Sequence, residues 1–258
     1  MTIEIATARI RTPGELIKAG EALANSWFRG QGDFEWGLKS TIERDASIFE
    51  VPKEILFNRE NVMLNLFKQR AHLYSNGTNL PETEFEWHAL IRHHGGPSRL
   101  LDITSSYLVA AYFALNDSQP DRDAALWAFH GESHSKDKIS DIFSSSSGSG
   151  ITIRIPDQLN ARINAQSGGF LIPHSFEDTL EEQVGKKFDV NLKEIKKYRS
   201  VKRVKTERDH RIWKFKIPRD KHSELFRFLS RCNIRSYSLV PGIDGLALSL
   251  REMMRVYD

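Results

Sequence analysis

The chain has one cysteine, Cys232, among 258 residues, so neither an intramolecular disulfide nor a cysteine-based zinc cluster can form. No stretch approaches the roughly 18 consecutive apolar residues of a membrane-spanning helix. The opening Met1-Thr2-Ile3-Glu4-Ile5 lacks the basic start and apolar run of a secretory signal. These absences lead us to expect a cytoplasmic protein with no membrane segment. Three common enzyme signatures are missing too: the Walker phosphate loop, the Rossmann glycine fingerprint and the HExxH zinc motif. His93 and His94 are adjacent, and neighbours on a helix point apart, so we expect no metal site. No serine lies in a nucleophile-elbow sequence, and no internal repeat is visible.

What remains is an ordinary globular composition, 40% hydrophobic and 28% charged, in a chain long enough to bury a full core. The net charge of +3 is unevenly placed. Residues 186–211 hold eleven Lys/Arg against four Asp/Glu, which leaves the rest of the chain acidic. Such a basic segment fits an RNA or DNA target, an acidic protein partner such as an antitoxin or chaperone, or a solvated charged face. Residues 144–150, Ser-Ser-Ser-Ser-Gly-Ser-Gly, read as a flexible loop.

Periodicity and end signals predict helices near 13–25, 52–74, 84–91, 106–117, 178–188, 220–231 and 243–255. Thr12-Pro13-Gly14-Glu15 starts the first; Thr83-Glu84-Phe85-Glu86 starts the one near 84–91, and Gly95-Gly96-Pro97 stops it. Short apolar runs predict strands at 26–30, 124–129, 151–155, 168–172 and 211–217. Without a regular βα alternation, the expectation is a single α+β domain over 1–258, a mixed central sheet with surrounding helices.

Three segments carry chemistry. Trp27-Phe28-Arg29-Gly30-Gln31-Gly32 sets an arginine between buried aromatics and two glycines. A guanidinium fork beside accessible backbone suits a phosphate ester, and equally a structural arginine at a tight turn. Arg92 to Tyr107 is the densest polar run, read as a sharply turning connector between two helices. Its plain roles are helix caps from Asp102, Thr104 and Ser105, and an Arg99–Asp102 ion pair. Asn160 to Phe170 places Gln166 ahead of paired glycines, where its amide suits a pocket edge.

Together these segments resemble the FRG family, named for its Phe-Arg-Gly signature. Phe28-Arg29-Gly30-Gln31 matches the signature, and Trp36, Leu38, Ser40 and Arg44 resemble the W-x-L-x-x-S-x-x-R stretch, with the serine one residue closer. His93-His94-Gly95-Gly96-Pro97-Ser98-Arg99-Leu100-Leu101-Asp102-Ile103-Thr104 matches the Q-H-x-G-x-P-T-R-L-L-D-W-T segment, with Arg92 for Gln and Ile103 for Trp. Ala110 to Ala114 continues it. Arg162, Gln166, Gly168 and Phe170 resemble a later R-x-x-x-Q-x-G-x-F element, and Val240 to Ala247 the closing P-x-x-D-G-L motif.

A more distant resemblance is to ADP-ribosyltransferases of the Arg-Ser-Glu kind, which would make the fold ADP-ribosyltransferase-like. Arg29-Gly30, then Thr104-Ser105-Ser106, then Gln166 occur in that family's order, with Gln166 where a glutamate is usual. The resemblance implies NAD as substrate and ADP-ribose transfer, in the manner of a toxin, a toxin–antitoxin component or an antiviral effector modifying nucleic acid. It implies a cofactor-binding set of Arg29, Gly30, Gln31, Arg99, Thr104 and Ser105, and catalytic roles for Arg29, His93, Thr104 and Gln166. Arg29 would hold the phosphates, and Thr104 with Ser105 would buttress it. His93 would act as a base titrating near neutrality, and Glu177, Glu181 or Glu182 would supply the missing carboxylate. The alternative is a non-catalytic module that binds a nucleotide or nucleic acid through Arg29, His93 and Arg99 under the control of a partner protein.

Overall fold

The structure is a computed structural model of the chain; residues 3–75, 80–130, 142–143, 148, 150–157, 161–192, 198–204 and 211–256 are described. Most of the 144–150 loop, and residues 193–197 and 205–210 of the basic segment, lie outside that set. The strands are β1 (Ile3–Glu4), β2 (Ala6–Arg9), β3 (Ser26–Gln31), β4 (Leu101–Thr104), β5 (Ala124–His130), β6 (Ile151–Arg154), β7 (Gly168–Pro173), β8 (Val190–Asn191), β9 (Tyr198–Arg199) and β10 (Ile212–Ile217). The first five helices are α1 (Pro13–Ala22), α2 (Thr41–Ile48), α3 (Leu56–Ala71), α4 (Glu84–His93) and α5 (Tyr107–Asn116). Helices Ala161–Ala165, Leu180–Phe188, His222–Arg231, Ser236–Leu239 and Ile243–Val256 follow.

Eight strands form one mixed sheet in the order β6-β7-β4-β3-β5-β10-β2-β9. Pairing is antiparallel from β6 through to β10, and parallel from β10 to β2 and from β2 to β9. The α+β expectation is therefore met. Side chains alternate between the two faces as the strand period demands. On β5, Leu126 and Ala128 join the core beneath α1, α5 and helix His222–Arg231. Trp127 and Phe129 join the opposite core, which contains Leu180 and Val184 of helix Leu180–Phe188. Among the described residues no helix is long and apolar enough to cross a membrane.

Several local signals behave as read. The Thr12 side chain accepts from Glu15 N–H, while the Glu15 carboxylate accepts from Arg11 N–H rather than closing the box on Thr12. Helix α4 opens with a full Thr83/Glu86 capping box. It ends in a Schellman turn: Gly95 N–H donates to Arg92 O at 3.1 Å and Gly96 N–H to Ile91 O at 2.9 Å. Gly95 sits at φ +83°, where a side chain would be strained, and Pro97 then prevents continuation.

Several elements depart from expectation, among them β1, β8, β9 and the short helices Ala161–Ala165 and Ser236–Leu239. Helix α2 was not anticipated; its Ser40/Glu43 capping box holds only eight residues, too few for clear periodicity. Strand β2 is only four residues long, between β10 and β9, and is invisible as alternation. The run from His93 to Thr104 is not simply a connector. Its second half is β4, with Leu101 and Ile103 buried in the sheet and Asp102 and Thr104 on the other face.

Arg99 also corrects the expected Arg99–Asp102 pair. It is 0% exposed and bonds the carboxylate of Glu60 on α3 through Nε at 2.7 Å and through Nη2. Its Nη1 reaches the carbonyls of Ile142, Pro173 and His174, at 3.4–3.5 Å, and its plane lies over Phe176 at 4.7 Å. A buried guanidinium needs such complete pairing, since leaving it uncompensated would cost several kcal/mol. Arg99 is thus the bolt between α3 and the sheet.

Candidate functional site

The site arises where two neighbouring strands stop pairing. Strands β3 and β4 meet at one position, Phe28 opposite Thr104. Continued in register, Gly30 would lie opposite Asp102. Instead Arg29 Nη1 donates to the Asp102 main-chain carbonyl at 2.6 Å, filling the opening with a guanidinium. Helix α5 seals one side of the gap. A Cβ on Gly30 would stand 2.0 Å from Ala110 O and 2.4 Å from Ala114 N, so glycine is required there by the helix backbone.

A cavity of about 320 Å³ opens from this gap. Its polar wall is built by Arg29, Arg92, His93, Asp102, Thr104 and Arg162. Tyr112 and Asn116 of α5, Asp117 just after it and the segment around Gln166 continue it, and Ser236, Val240 and Leu248 close it from the C-terminal region. The Schellman turn explains part of this convergence. It reverses the chain after Arg92 and His93, so β4 brings Asp102 back beside them. Arg92 Nε and Nη2 donate to Asp102 Oδ2 at 2.9 and 2.6 Å.

Arg29 is strongly perturbed. Burial lowers its pKa to about 10; Arg92 and Arg44 add to the depression, and Asp102 opposes it. It stays protonated at neutral pH, and its buried Nε has no hydrogen-bond partner. A desolvated, unpaired N–H on a cation is a strong acceptor-seeking group. The half-buried Arg162 forms no ion pair among the described residues. Burial also lowers the pKa of His93, with His94 and Arg162 acting in the same direction. That moves His93 below the near-neutral titration expected of it, with Asp102 opposing the shift.

The expected site residues divide into two groups. Arg29, Gly30, His93, Thr104 and Gln166 line the cavity together. Gln31, Arg99 and Ser105 do not. Gln31 is buried, with Oε1 accepting from Trp127 Nε1 at 2.6 Å and Nε2 donating to Gly37 O at 3.0 Å. Thr104 and Ser105 do not buttress Arg29. The Thr104 hydroxyl donates to Gln166 O at 2.6 Å, and Ser105 N–H donates to Ser167 O at 3.0 Å, so they anchor the Gln166 segment. Gln166 Nε2 is engaged by Leu239 O at 3.0 Å.

The three glutamates expected to supply a carboxylate lie elsewhere. Glu182 caps helix Leu180–Phe188. Glu181 lies against Gly37, and the Glu177 carbonyl accepts from Lys53. None lines the cavity. Arg92, Asp102 and Arg162 are the site residues that sequence reasoning missed. The signals available were the family motifs that contain Asp102 and Arg162 and the replacement of a family glutamine by Arg92. Among the described residues no group of three His, Cys, Asp or Glu could hold a metal ion.

A larger hollow of about 900 Å³ lies between α3 and α4. It shares Ala89 and Ile163 with the arginine cavity but none of its charged groups. The signature residues therefore mark the smaller cavity.

Comparison with protein families matches residues 24–123 to the FRG domain. The match contains β3, α4, β4 and α5, the elements that create the gap and its arginines. Arg162, Gln166 and Val240 close the cavity from outside the matched residues. No match to the chain was found among the curated proteins or among the solved structures.

Proposed function

We propose that the cavity binds NAD and that the protein transfers ADP-ribose to an acceptor. The observation carrying this reading is the buried Arg29 guanidinium with an unpaired Nε, set in a cavity wall that also holds Arg92 and Arg162. Three guanidinium groups at one mouth suit a pyrophosphate, which accepts several bidentate hydrogen bonds at once. The volume, about 320 Å³, sits at the small end of ligand sites, so it encloses one end of a dinucleotide while the other lies along the rim. Arg29 would grip the phosphate nearest the gap. His93 would accept the acceptor's proton.

The acceptor under this reading is a nucleic acid, held by the basic segment 186–211 through phosphate contacts. A toxin or antiviral effector of this kind would need restraint by an antitoxin or chaperone. One observation favours the second reading, a module that binds a nucleotide without reacting: position 166 carries an amide rather than a carboxylate, and that amide is already bonded to Leu239.

The test is incubation with NAD labelled in the adenylate and a mixture of cell RNA, DNA and protein. Transfer of label that disappears in Arg29→Ala supports the first reading. Nucleic-acid binding without any NAD binding or turnover rejects it.

A further inference from the structure

We infer that Asp102 supplies the carboxylate of this site and faces the cationic part of its ligand; the inference rests on the NAD reading above. Strand alternation buries Leu101 and Ile103 at 2% and 4%, while the Asp102 side chain stays 45% exposed on the cavity side. Arg92 holds it through two bonds to one oxygen, Oδ2. Among the described residues Oδ1 accepts no hydrogen bond. The backbone is pinned as well, because Arg29 Nη1 binds the Asp102 carbonyl. The carboxylate is thus fixed in direction with one oxygen available.

Its neighbours make that placement informative. A carboxylate 4.0 Å from Arg29 Nη1 weakens any purely anionic ligand, since it repels the charge the arginines attract. It favours a ligand that carries a positive charge next to its phosphates. NAD has that pattern, with a nicotinamidium ring beyond the pyrophosphate.

Of the two other carboxylates beside the cavity, one is fully engaged and one, Asp117, is not held by an arginine among the described residues. Glu252 is 6% exposed, and its Oε1 accepts from Tyr112, from Ser236 N–H and from the Ser236 hydroxyl. Asp117, at the C-terminal end of α5, accepts from Asn116 Nδ2 at 3.0 Å.

The step balances without a further reagent. The bond from ribose C1′ to the nicotinamide nitrogen breaks, and neutral nicotinamide leaves with the electron pair. Positive charge moves from the ring onto C1′ and the ring oxygen, where the Asp102 carboxylate stabilises it. The acceptor's lone pair then forms the new bond to C1′, and the acceptor's proton passes to His93.

The experiment compares wild type, Asp102→Asn and Arg92→Gln for NAD affinity by calorimetry and for nicotinamide release. We expect D102N to bind NAD within about threefold of wild type while kcat falls on the order of 10²-fold. We expect R92Q to lose mainly in KM. A D102N protein with wild-type kcat overturns the inference and leaves the NAD reading intact. So does an R92Q protein that reproduces the kcat loss of D102N, because Asp102 would then act only by holding Arg92. Should D102N not fold, Asp102→Ser removes the charge with a smaller side chain, and full kcat in that variant also overturns the inference. Absence of NAD binding by wild type rejects both the inference and the reading it rests on.

Discussion

Arg29 Nη1 lies 2.6 Å from the main-chain oxygen of Asp102 and 4.0 Å from its carboxylate. One residue of β4 thus satisfies part of the Arg29 guanidinium through its backbone and faces it with its side chain. The relationship exists because β3 and β4 pair only at Phe28 and Thr104. Beyond that point a ladder bond is replaced by a side chain, and a cavity takes the place of sheet. The FRG signature therefore marks the position where the sheet opens.

Gly30 tests whether this opening depends on α5. A Cβ there would meet helix backbone at 2.0 and 2.4 Å, and backbone cannot step aside as a flexible side chain can. Gly30→Ala is expected to destabilise by about 3 kcal/mol or more. In a chain of this size that lowers Tm by roughly 6–12 °C in a thermal melt. An unchanged Tm would show that α5 does not press on β3.

The Glu60–Arg99 pair should govern stability and not ligand affinity. Glu60→Gln removes the charge facing a fully buried guanidinium, and such losses run at about 3–5 kcal/mol. Chemical denaturation should report that loss. At a temperature where the variant remains folded, its affinity for NAD should equal that of wild type, since Arg99 lies outside the cavity.

His88 gives the fold an acid-sensitive element. Its imidazole is 2% exposed and stacks on Phe143 at 4.6 Å. Burial lowers its pKa from 6.5 to about 4; nearby Arg99 and Lys68 depress it further, and Glu60 opposes them. The unfolded chain binds this proton more readily than the folded one. The resulting stability is fully present above about pH 6.5 and is lost as pH falls toward 4. Denaturation of wild type should show a loss of roughly 1–3 kcal/mol over that window, allowing for relaxation of the site. His88→Leu should flatten the window, and a variant with the wild-type slope would exclude His88 as its source.

The sequence made some of these features visible and concealed others for physical reasons. Strong local chemistry carried through: the Thr83 capping box, the Gly95-Gly96-Pro97 stop and the apolar strand β5 all stand where composition put them. Helix α2 and strand β2 are too short for periodicity to distinguish. Arg29, His93, Thr104 and Gln166 were legible as a group through their motifs. Their partners were not. Arg99 meets Glu60 across 39 residues, and Arg29 meets Asp102 across 73. Such pairings are set by strand order, which no local spacing encodes. Arg92 and Asp102 are closer in sequence, but only the reversal at Gly95 brings them together.

The most direct measurement of the central claim is calorimetric titration of NAD, ADP-ribose and nicotinamide, each alone, into wild type and Arg29→Ala. A charged hydrogen-bonding group of this kind contributes about 1.5–3 kcal/mol, which is roughly 10- to 150-fold in affinity. The account predicts saturable binding of NAD and ADP-ribose by wild type, and a loss of that size in R29A for both. It predicts no comparable loss for nicotinamide, which has no phosphate for Arg29 to hold. Equal affinities of wild type and R29A for ADP-ribose, or no binding of either phosphorylated ligand by wild type, would contradict it.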